Sequence, residues 1–265
     1  MKTLTLDTPA LARQYEDLSD KQYEHGKLLI QALDLGQGWR VLDVGCGTGR
    51  LTEYVASLVG KAGHVVGIDP LQTRIEIARI RAAGNLSFQI GRAERLDGFF
   101  DNSFDAVYLN SVFHWLPEKR QSLAETCRVL KSGGRLGIST ASKERPHELD
   151  RIVRTVLRRP PYAPYLDTSE TPPYKVTSEE LSALLEQAGF RVITIEIRSF
   201  TDYFDSPGTV IHFSNASSFG HFLSGLPLLL RTAAIREIEF ELEKYRRPEG
   251  IVLTRNLIFA VAEKK

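Results

Sequence analysis

The chain has 265 residues, enough for one large domain or a domain with a lid. Hydrophobic residues make up 42% and charged residues 25%, which excludes a mostly disordered, collagen-like or multi-span membrane chain. With 34 Lys and Arg against 33 Asp and Glu, the formal net charge of +1 supplies no strong basic field for sequence-independent nucleic-acid binding.

Apolar residues at helical spacing, from Leu18 through Tyr23, Leu28 and Leu33, predict a helical segment over 11–34 that ends at Gly36 and Gly38. Val41–Val44 reads as a short buried strand, followed by a glycine-rich turn, Gly45 to Gly49, and a helix from Arg50 to Val59. A second strand is predicted over 64–68, a helix over 71–83, a third strand over 86–90 and a fourth over 104–109. A helix over 118–130 is predicted to close on Lys131-Ser132-Gly133-Gly134, with glycine at its C-cap, before a fifth strand over 135–140. Strands alternating with helices imply a parallel sheet covered on both faces, with ligands bound beyond the carboxyl ends of its strands.

The second half is less regular. Pro146, Pro160, Pro161, Pro164, Pro172 and Pro173 forbid one long helix across 141–176, although 151–157 suits a short one. Thr177 with Glu180 is a helix start, and that helix stops at Gly189. Strands are predicted over 190–200 and 251–262, with a helix over 228–245 between them. The segments 141–176 and 201–248 read as lid elements over the strand ends. Cys46 and Cys127 match no metal-ligand or CxxC spacing and fit a reduced compartment. Met1 to Ala10 lacks an apolar signal core, and no stretch approaches the roughly 20 apolar residues of a membrane helix. The expectation is a cytoplasmic protein with a small-molecule partner, no nucleic acid and no membrane, as monomer or homodimer.

The decisive string is Val41-Leu42-Asp43-Val44-Gly45-Cys46-Gly47-Thr48-Gly49-Arg50. Its glycines let backbone approach a ligand at the start of a helix. A dinucleotide turn would place glycine at position 50, where this chain has Arg50; a nicotinamide dehydrogenase is therefore a distant alternative. Asp43, at the strand end, would repel a pyrophosphate and suit a ligand carrying an ammonium and a sulfonium. Asp69 ends the second strand, where a carboxylate can accept hydrogen bonds from ribose hydroxyls or cap the helix that follows.

VLDVGCGTGR, then VVGID, then AERLDGFFDNSFDAVYLNSVFHWLP resembles the class I S-adenosylmethionine-dependent methyltransferases, in the type 11-like, small-molecule branch. The resemblance covers 40–140 best. It implies one domain over 1–265: an α/β, Rossmann-like, seven-stranded, mostly parallel sheet with its last strand antiparallel. Helices would lie on both faces, with helical lid insertions and an N-terminal helical segment over 1–35. It implies S-adenosylmethionine as methyl donor, S-adenosylhomocysteine as product and no metal. Asp43, Gly45, Cys46 and Gly47 would line the methionine end, Asp69 and Pro70 the ribose, and Ala93 and Glu94 the adenine. Many relatives carry Asp before that Ala-Glu pair, where this chain has Arg92.

Asn110 and Ser111 would face both donor and acceptor. Asn110-Ser111-Val112-Phe113 departs from the (Asn/Asp)-Pro-Pro-Tyr run of amino-directed DNA methyltransferases, and Pro160-Pro161-Tyr162 and Pro172-Pro173-Tyr174 read as lying outside the site. His114-Trp115 is similar to the branch that methylates small carboxylic acids. Arsenic-methylating relatives require several cysteines, and this chain has 2.

Methyl transfer from a sulfonium needs alignment and exclusion of water; an ionised carboxylate needs no base and a hydroxyl benefits from one. His114 is the candidate that orients the acceptor, and the base if that acceptor is a hydroxyl; packing beside Trp115 is the plainer role. Gln22, Tyr15 and Trp115 are candidate substrate contacts. Arg151, Arg154, Arg158 and Arg159 form a basic cluster that either attracts an acidic substrate or is solvated. Phe213, Phe219 and Phe222 with His212 and His221 either line an acceptor pocket or pack the lid. The leading expectation is O-methylation of a small molecule, a carboxylate included. The alternatives are C- or N-methylation of an aromatic or quinone-like metabolite, and a non-catalytic S-adenosylmethionine-binding module.

Overall fold

The computed structural model describes residues 7–165 and 172–265. The expected lid over 141–176 and N-terminal segment over 1–35 therefore include positions, 166–171 and 1–6, that lie outside the described residues. The elements in chain order are α1 (Pro9–Leu18), α2 (Asp20–Leu33), β1 (Arg40–Val44), α3 (Arg50–Val59), β2 (His64–Asp69), α4 (Gln72–Ala78) and β3 (Leu86–Ile90). There follow β4 (Phe104–Asn110), α5 (Lys119–Val129), β5 (Leu130–Ala141), α6 (Glu148–Leu157), α7 (Ser178–Gln187) and β6 (Phe190–Phe204). The chain ends with α8 (Pro207–Ser217), α9 (Leu228–Leu242), β7 (Arg246–Arg247) and β8 (Gly250–Lys264).

The sheet runs β3-β2-β1-β4-β5-β8-β6, with β7 pairing only β8. It has eight strands rather than the seven expected; the extra one is Arg246–Arg247, two residues that fold back on Gly250 and Ile251. A two-residue strand leaves no hydrophobic period to read. β1, β2 and β4 are parallel neighbours, in register at Val41 with Val65 and at Val41 with Ala106. Val65–Ile68 of β2 and Ala106–Leu109 of β4 are apolar runs, and β1 is buried from Val41 to Val44, a stretch with Asp43 as its one charged residue, as burial on both faces requires. β8 returns antiparallel to β5, with Ile258 opposite Thr140. β6 is the edge, and its charged Arg191, Glu196 and Arg198 suit an edge strand.

The chain divides into two compact units. One comprises Asp20–Glu144, Pro172–Arg198 and Leu257–Lys265; its core joins Leu42, Val66, Val107, Ile138 and Ile258 to Leu181 and Leu185 of α7. The other comprises Met1–Ser19, Arg145–Thr171 and Ser199–Asn256. Its own core gathers Val156, Tyr162, Phe204, Phe213, Ile238 and Leu253. Phe213 is thus a core residue, 5.7 Å from Phe204, and Tyr162 hydrogen-bonds Glu237 at 2.7 Å.

Three expectations change. The helical segment over 11–34 is two helices, interrupted at buried Ser19. Apolar spacing continues across that break, so periodicity does not reveal it. Lys131–Gly134 do not cap α5: the chain turns extended at Leu130, and these residues belong to β5, whose pairing with β4 shifts register between Phe104 and Ala106. Glycine serves an irregular strand as well as a helix end. Finally, α8, capped by Ser206 and opened by Pro207, is a second helix in the segment 201–248, where the sequence pattern named a helix only over 228–245.

Candidate functional site

β1 ends on the glycine turn. Gly45 N–H and Cys46 N–H donate to Ile68 O at 2.7 and 2.9 Å, fastening the turn to the end of β2. Gly45 has φ +80°, and a Cβ there would lie 2.3 Å from Val112 Cγ2, on the turn that follows β4. Gly49 has φ +84° and caps α3. Only glycine fits both conformations without strain. Arg50, where a dinucleotide turn has glycine, reaches Asp20 at 2.6 Å and lies over the Tyr23 ring at 5.1 Å, tying α2 to the turn.

Two carboxylates flank this turn. Asp43 is 1% exposed, and its Oδ2 accepts from Thr52 Oγ1 at 2.7 Å and from Tyr108 OH at 2.6 Å. Burial pushes its carboxyl up to about 7; the Tyr108 and Thr52 hydroxyls pull it back down, and the nearby Asp69 charge raises it. Asp69 is 5% exposed. Its Oδ2 accepts from Gly47 N–H at 3.0 Å and its Oδ1 from Leu71 N–H at 2.9 Å. It therefore joins the glycine turn to the start of α4. Burial pushes the Cys46 thiol well up, and Sγ points at Gly47 O, 3.7 Å away. Half-buried Pro70 follows Asp69. Ala93 is buried in the tight turn after β3, whose Gly91 N–H donates to Asp69 O at 3.2 Å. In that turn Glu94 lies 3.8 Å from Arg92.

The ends of β4 and β5 form a second polar group. Asn110 Oδ1 accepts from Ser139 Oγ at 2.6 Å, and its Nδ2 donates to Gln22 O at 3.2 Å. Ser111, at φ +60°, donates its N–H to Ser139 O at 2.9 Å. Gln22 is 8% exposed on α2, and its side-chain Oε1 has no hydrogen-bond partner among the described residues. His114 is 9% exposed, and Trp115 lies beside it with ring centres 5.1 Å apart. His114 Nδ1 lies 3.1 Å from Thr140 Oγ1 and accepts Ala141 N–H at 3.3 Å. Lys119 Nζ donates to Phe113 O at 3.0 Å and Leu116 O at 2.7 Å, clamping the short turn that carries His114.

Pro172-Pro173-Tyr174, expected to lie outside the site, stands against this turn. Tyr174 N–H donates to His114 O at 2.6 Å, and its ring lies 5.7 Å from the Lys119 ammonium. The pairing of Ser142 with Val176 leads the segment there, a long-range bridge that no local motif announces. Of the expected residues, Asp43, Gly45, Cys46, Gly47, Asp69, Pro70, Ala93 and Glu94 gather at the ends of β1, β2 and β3. Asn110, Ser111, His114, Trp115 and Gln22 gather at the ends of β4 and β5. Tyr15 stands half-buried on α1, in the other unit. Thr52, Tyr108, Ser139, Thr140, Lys119 and Tyr174 were not foreseen. Alternate residues on β5 and the i, i+3 and i+4 positions of α3 would have nominated Ser139 and Thr52, had their burial been legible.

Residues 42–138 match the methyltransferase domain family model. The chain is 36% identical over 154 residues to the arsenite methyltransferase of Mus musculus, covering 53% of this chain and 40% of that protein. It is 35% identical to the O-methyltransferase cnsE of Penicillium expansum, covering 62% of this chain and 56% of that protein. It thus spans about half the length of these curated relatives. To the ubiquinone/menaquinone biosynthesis C-methyltransferase UbiE of Ectopseudomonas mendocina it is 33% identical, covering 63% of this chain and 71% of that protein. The YcgJ protein of Bacillus subtilis superposes with a TM-score of 0.60 over 91% of this chain and 99% of that one, at 20% identity. The chain belongs to the class I S-adenosylmethionine-dependent methyltransferases. Among the described residues no helix is long and apolar enough to cross a membrane.

Proposed function

We propose that this protein transfers a methyl group from S-adenosylmethionine to an oxygen of a small molecule, with a carboxylate as the finer reading. The observation that carries the donor assignment is Asp69 bridging Gly47 N–H and Leu71 N–H beside a turn whose Gly45, Gly47 and Gly49 all take positive φ. A cradle with two buried carboxylates and a close-approach backbone suits a cationic nucleoside and opposes a pyrophosphate. When bound, S-adenosylmethionine supplies a methyl group already activated by its positive sulfur.

Asp43, Gly45, Cys46 and Gly47 would hold its amino-acid end, Asp69 and Pro70 the ribose, and Ala93 and Glu94 the adenine. Asn110 and Ser111 would stand between donor and acceptor. Gln22, Trp115 and His114 would contact the acceptor. Cys46 and Cys127 lie in the glycine turn and on α5, and two thiols give a poor set for a soft arsenic acceptor.

Carbon methylation is the second reading, supported by the C-methyltransferase relative, of which the chain covers 71%. Calorimetry with S-adenosylmethionine and, separately, NAD tests the donor. Release of S-adenosylhomocysteine with cell extract, followed by mass spectrometry of the metabolites that gain a methyl group, tests the acceptor. Methyl gain on carbon would replace the oxygen reading, and binding without release would leave a donor-binding module.

A further inference from the structure

The packing of α6 against α9 gives the arginine cluster a setting that the sequence withholds. Both helices belong to the unit that includes Arg145–Thr171 and Ser199–Asn256. Ile152 and Val156 of α6 share one core with Ala234, Ile238 and Leu242 of α9, so both helices turn an apolar side inward. Arg159, just past α6, pairs with Glu237 and Glu241 of α9, and Tyr162 OH donates to Glu237, which holds the helices side by side. Helical spacing then puts Arg151, Arg154 and Arg158 on the side of α6 opposite Ile152 and Val156. It puts Leu229, Arg236 and Phe240 on the side of α9 opposite Ala234, Ile238 and Leu242. The two stripes form one outward surface.

The charge of that surface is one-sided. The guanidiniums of Arg151, Arg154, Arg158 and Arg236 are exposed and have no partner among the described residues. The acids of the two helices are mostly engaged: Glu237 and Glu241 with Arg159, Glu148 with Thr254 N–H and Asp150 with His147 N–H, which leaves Glu239. Apolar side chains stand among these cations. Leu228 is 77%, Leu229 92% and Phe240 68% exposed. Arg231 holds the carbonyls of Ser224 and Leu226 at 2.9 Å, which fixes the approach to the Leu228-Leu229 tip at the start of α9. A single exposed leucine needs no explanation; two adjacent ones, with a ring on the same stripe and uncompensated cations beside them, mark a surface that meets something.

We infer that this surface of α6 and α9 rests on a bilayer carrying anionic lipids, with the guanidiniums on the headgroups and Leu228, Leu229 and Phe240 at the boundary between headgroups and acyl chains. Dimensions exclude a small acidic ligand. Arg151 and Arg158 stand about 10 Å apart along their helix, and Leu229 and Phe240 about 16 Å apart along theirs, on convex faces whose side chains diverge. No single small acid meets them together, whereas a planar surface does. A nucleic acid would match the guanidiniums and leave the apolar tip without a partner. The formal net charge of +1 over the whole chain keeps the attraction local to this face. Such contact is interfacial and needs no helix that crosses the bilayer. It uses none of the residues placed at the glycine turn or the His114 turn, and it stands apart from the methyl-transfer reading.

Sedimentation of the full chain with vesicles tests this. Vesicles of equal parts phosphatidylcholine and phosphatidylglycerol should carry the protein down at low salt, and phosphatidylcholine alone should not. The bound fraction should fall as added salt shortens the screening length, a measurement that needs no variant. The triple variant Arg151→Gln, Arg154→Gln, Arg158→Gln should weaken partitioning roughly 100-fold, at about fivefold for each arginine near the surface. Lysine at the same three positions keeps the charge and should stay within about threefold of wild type. The double variant Leu229→Ser, Phe240→Ser keeps every charge and should weaken partitioning at least roughly tenfold, because the apolar contact is gone. Equal binding to both vesicle types, binding to neither, or unchanged binding in the glutamine or the serine variant overturns the inference. Retention on heparin without retention on vesicles would assign the surface to an acidic polymer and overturn it too.

Discussion

The ends of β1 and β2 and the ends of β4 and β5 use opposite chemistry. Around the glycine turn the functional side chains are two buried carboxylates whose oxygens take up hydroxyl and amide donors. Around the His114 turn they are a neutral amide, hydroxyls and an imidazole, with one ammonium spent on backbone carbonyls. Charge is thus placed at one end and withheld from the other, and buried charge is retained only where a partner compensates it. Gly45 joins the two regions, because the space its missing side chain would take is filled by Val112.

The largest effect therefore belongs to Gly45→Ala. The new methyl group meets Val112 Cγ2 at 2.3 Å, and a φ of +80° strains any L residue, so the turn must move. S-adenosylhomocysteine binding should weaken by more than roughly 100-fold in calorimetry, as a backbone cradle depends on position within about 1 Å. Adding Val112→Ala relieves the steric part and should recover some affinity. Binding within threefold of wild type in the single variant would break the proposed link between the two regions.

Asp69→Asn comes next. Its carboxylate accepts one amide on each oxygen, and asparagine has one oxygen, so Gly47 N–H or Leu71 N–H would face an NH2 group. Donor affinity should fall roughly 10- to 100-fold, and the melting temperature should fall too, because a buried amide is left unpaired. An unchanged melting temperature would show that the bridge contributes nothing to the turn.

These two positions were legible for one reason: glycines at fixed spacing and a strand-end acid are local features, set by backbone geometry over a few residues. The sheet was legible likewise, because its central strands carry short apolar runs such as Val65–Ile68 and Ala106–Leu109. Tyr108 is different. On the sequence it is one more residue of β4, yet its hydroxyl crosses 65 positions to reach Asp43. Tyr174 likewise reaches His114 only through the pairing of Ser142 with Val176. Such contacts depend on which strands become neighbours and on register. The break at Ser19 and the strand at Arg246–Arg247 escaped because one residue and two residues are too short for any period.

Asp43→Asn separates stability from binding. The folded carboxyl is pushed up to about 7 from its ordinary 3.8, so the folded state holds its proton over a range where the unfolded chain releases it. Its favourable contribution is complete below about 3.8 and disappears as pH rises through about 7. Asparagine keeps an oxygen for Thr52 and Tyr108 and never ionises. At pH about 8 the variant should melt several degrees higher than wild type, with the gain shrinking toward pH about 5. Donor affinity at pH about 8 should fall by roughly tenfold, since the carboxylate charge is gone. A lower melting temperature at the higher pH would mean that the ionised carboxylate is fully compensated by its hydroxyl partners.

The smallest effect is expected at Lys119, and it tests whether the neutral end of the site needs its clamp. The ammonium holds the carbonyls of Phe113 and Leu116 and lies 5.0 Å from the Phe113 ring, and burial lowers its pKa to about 8. Lys119→Met keeps the apolar stem and removes the donors, freeing the turn that carries His114. Turnover should fall about three- to tenfold while the KM for the donor stays within about twofold, because the glycine turn is untouched. The lowered pKa also gives a direction: between about 8 and the unfolded value of 10.5 the unfolded chain binds the extra proton. In that window wild type gains stability relative to Lys119→Met as pH rises. A donor KM that rises as much as turnover falls would show that the lysine acts on the whole sheet edge, and the division between its two chemistries would then be lost.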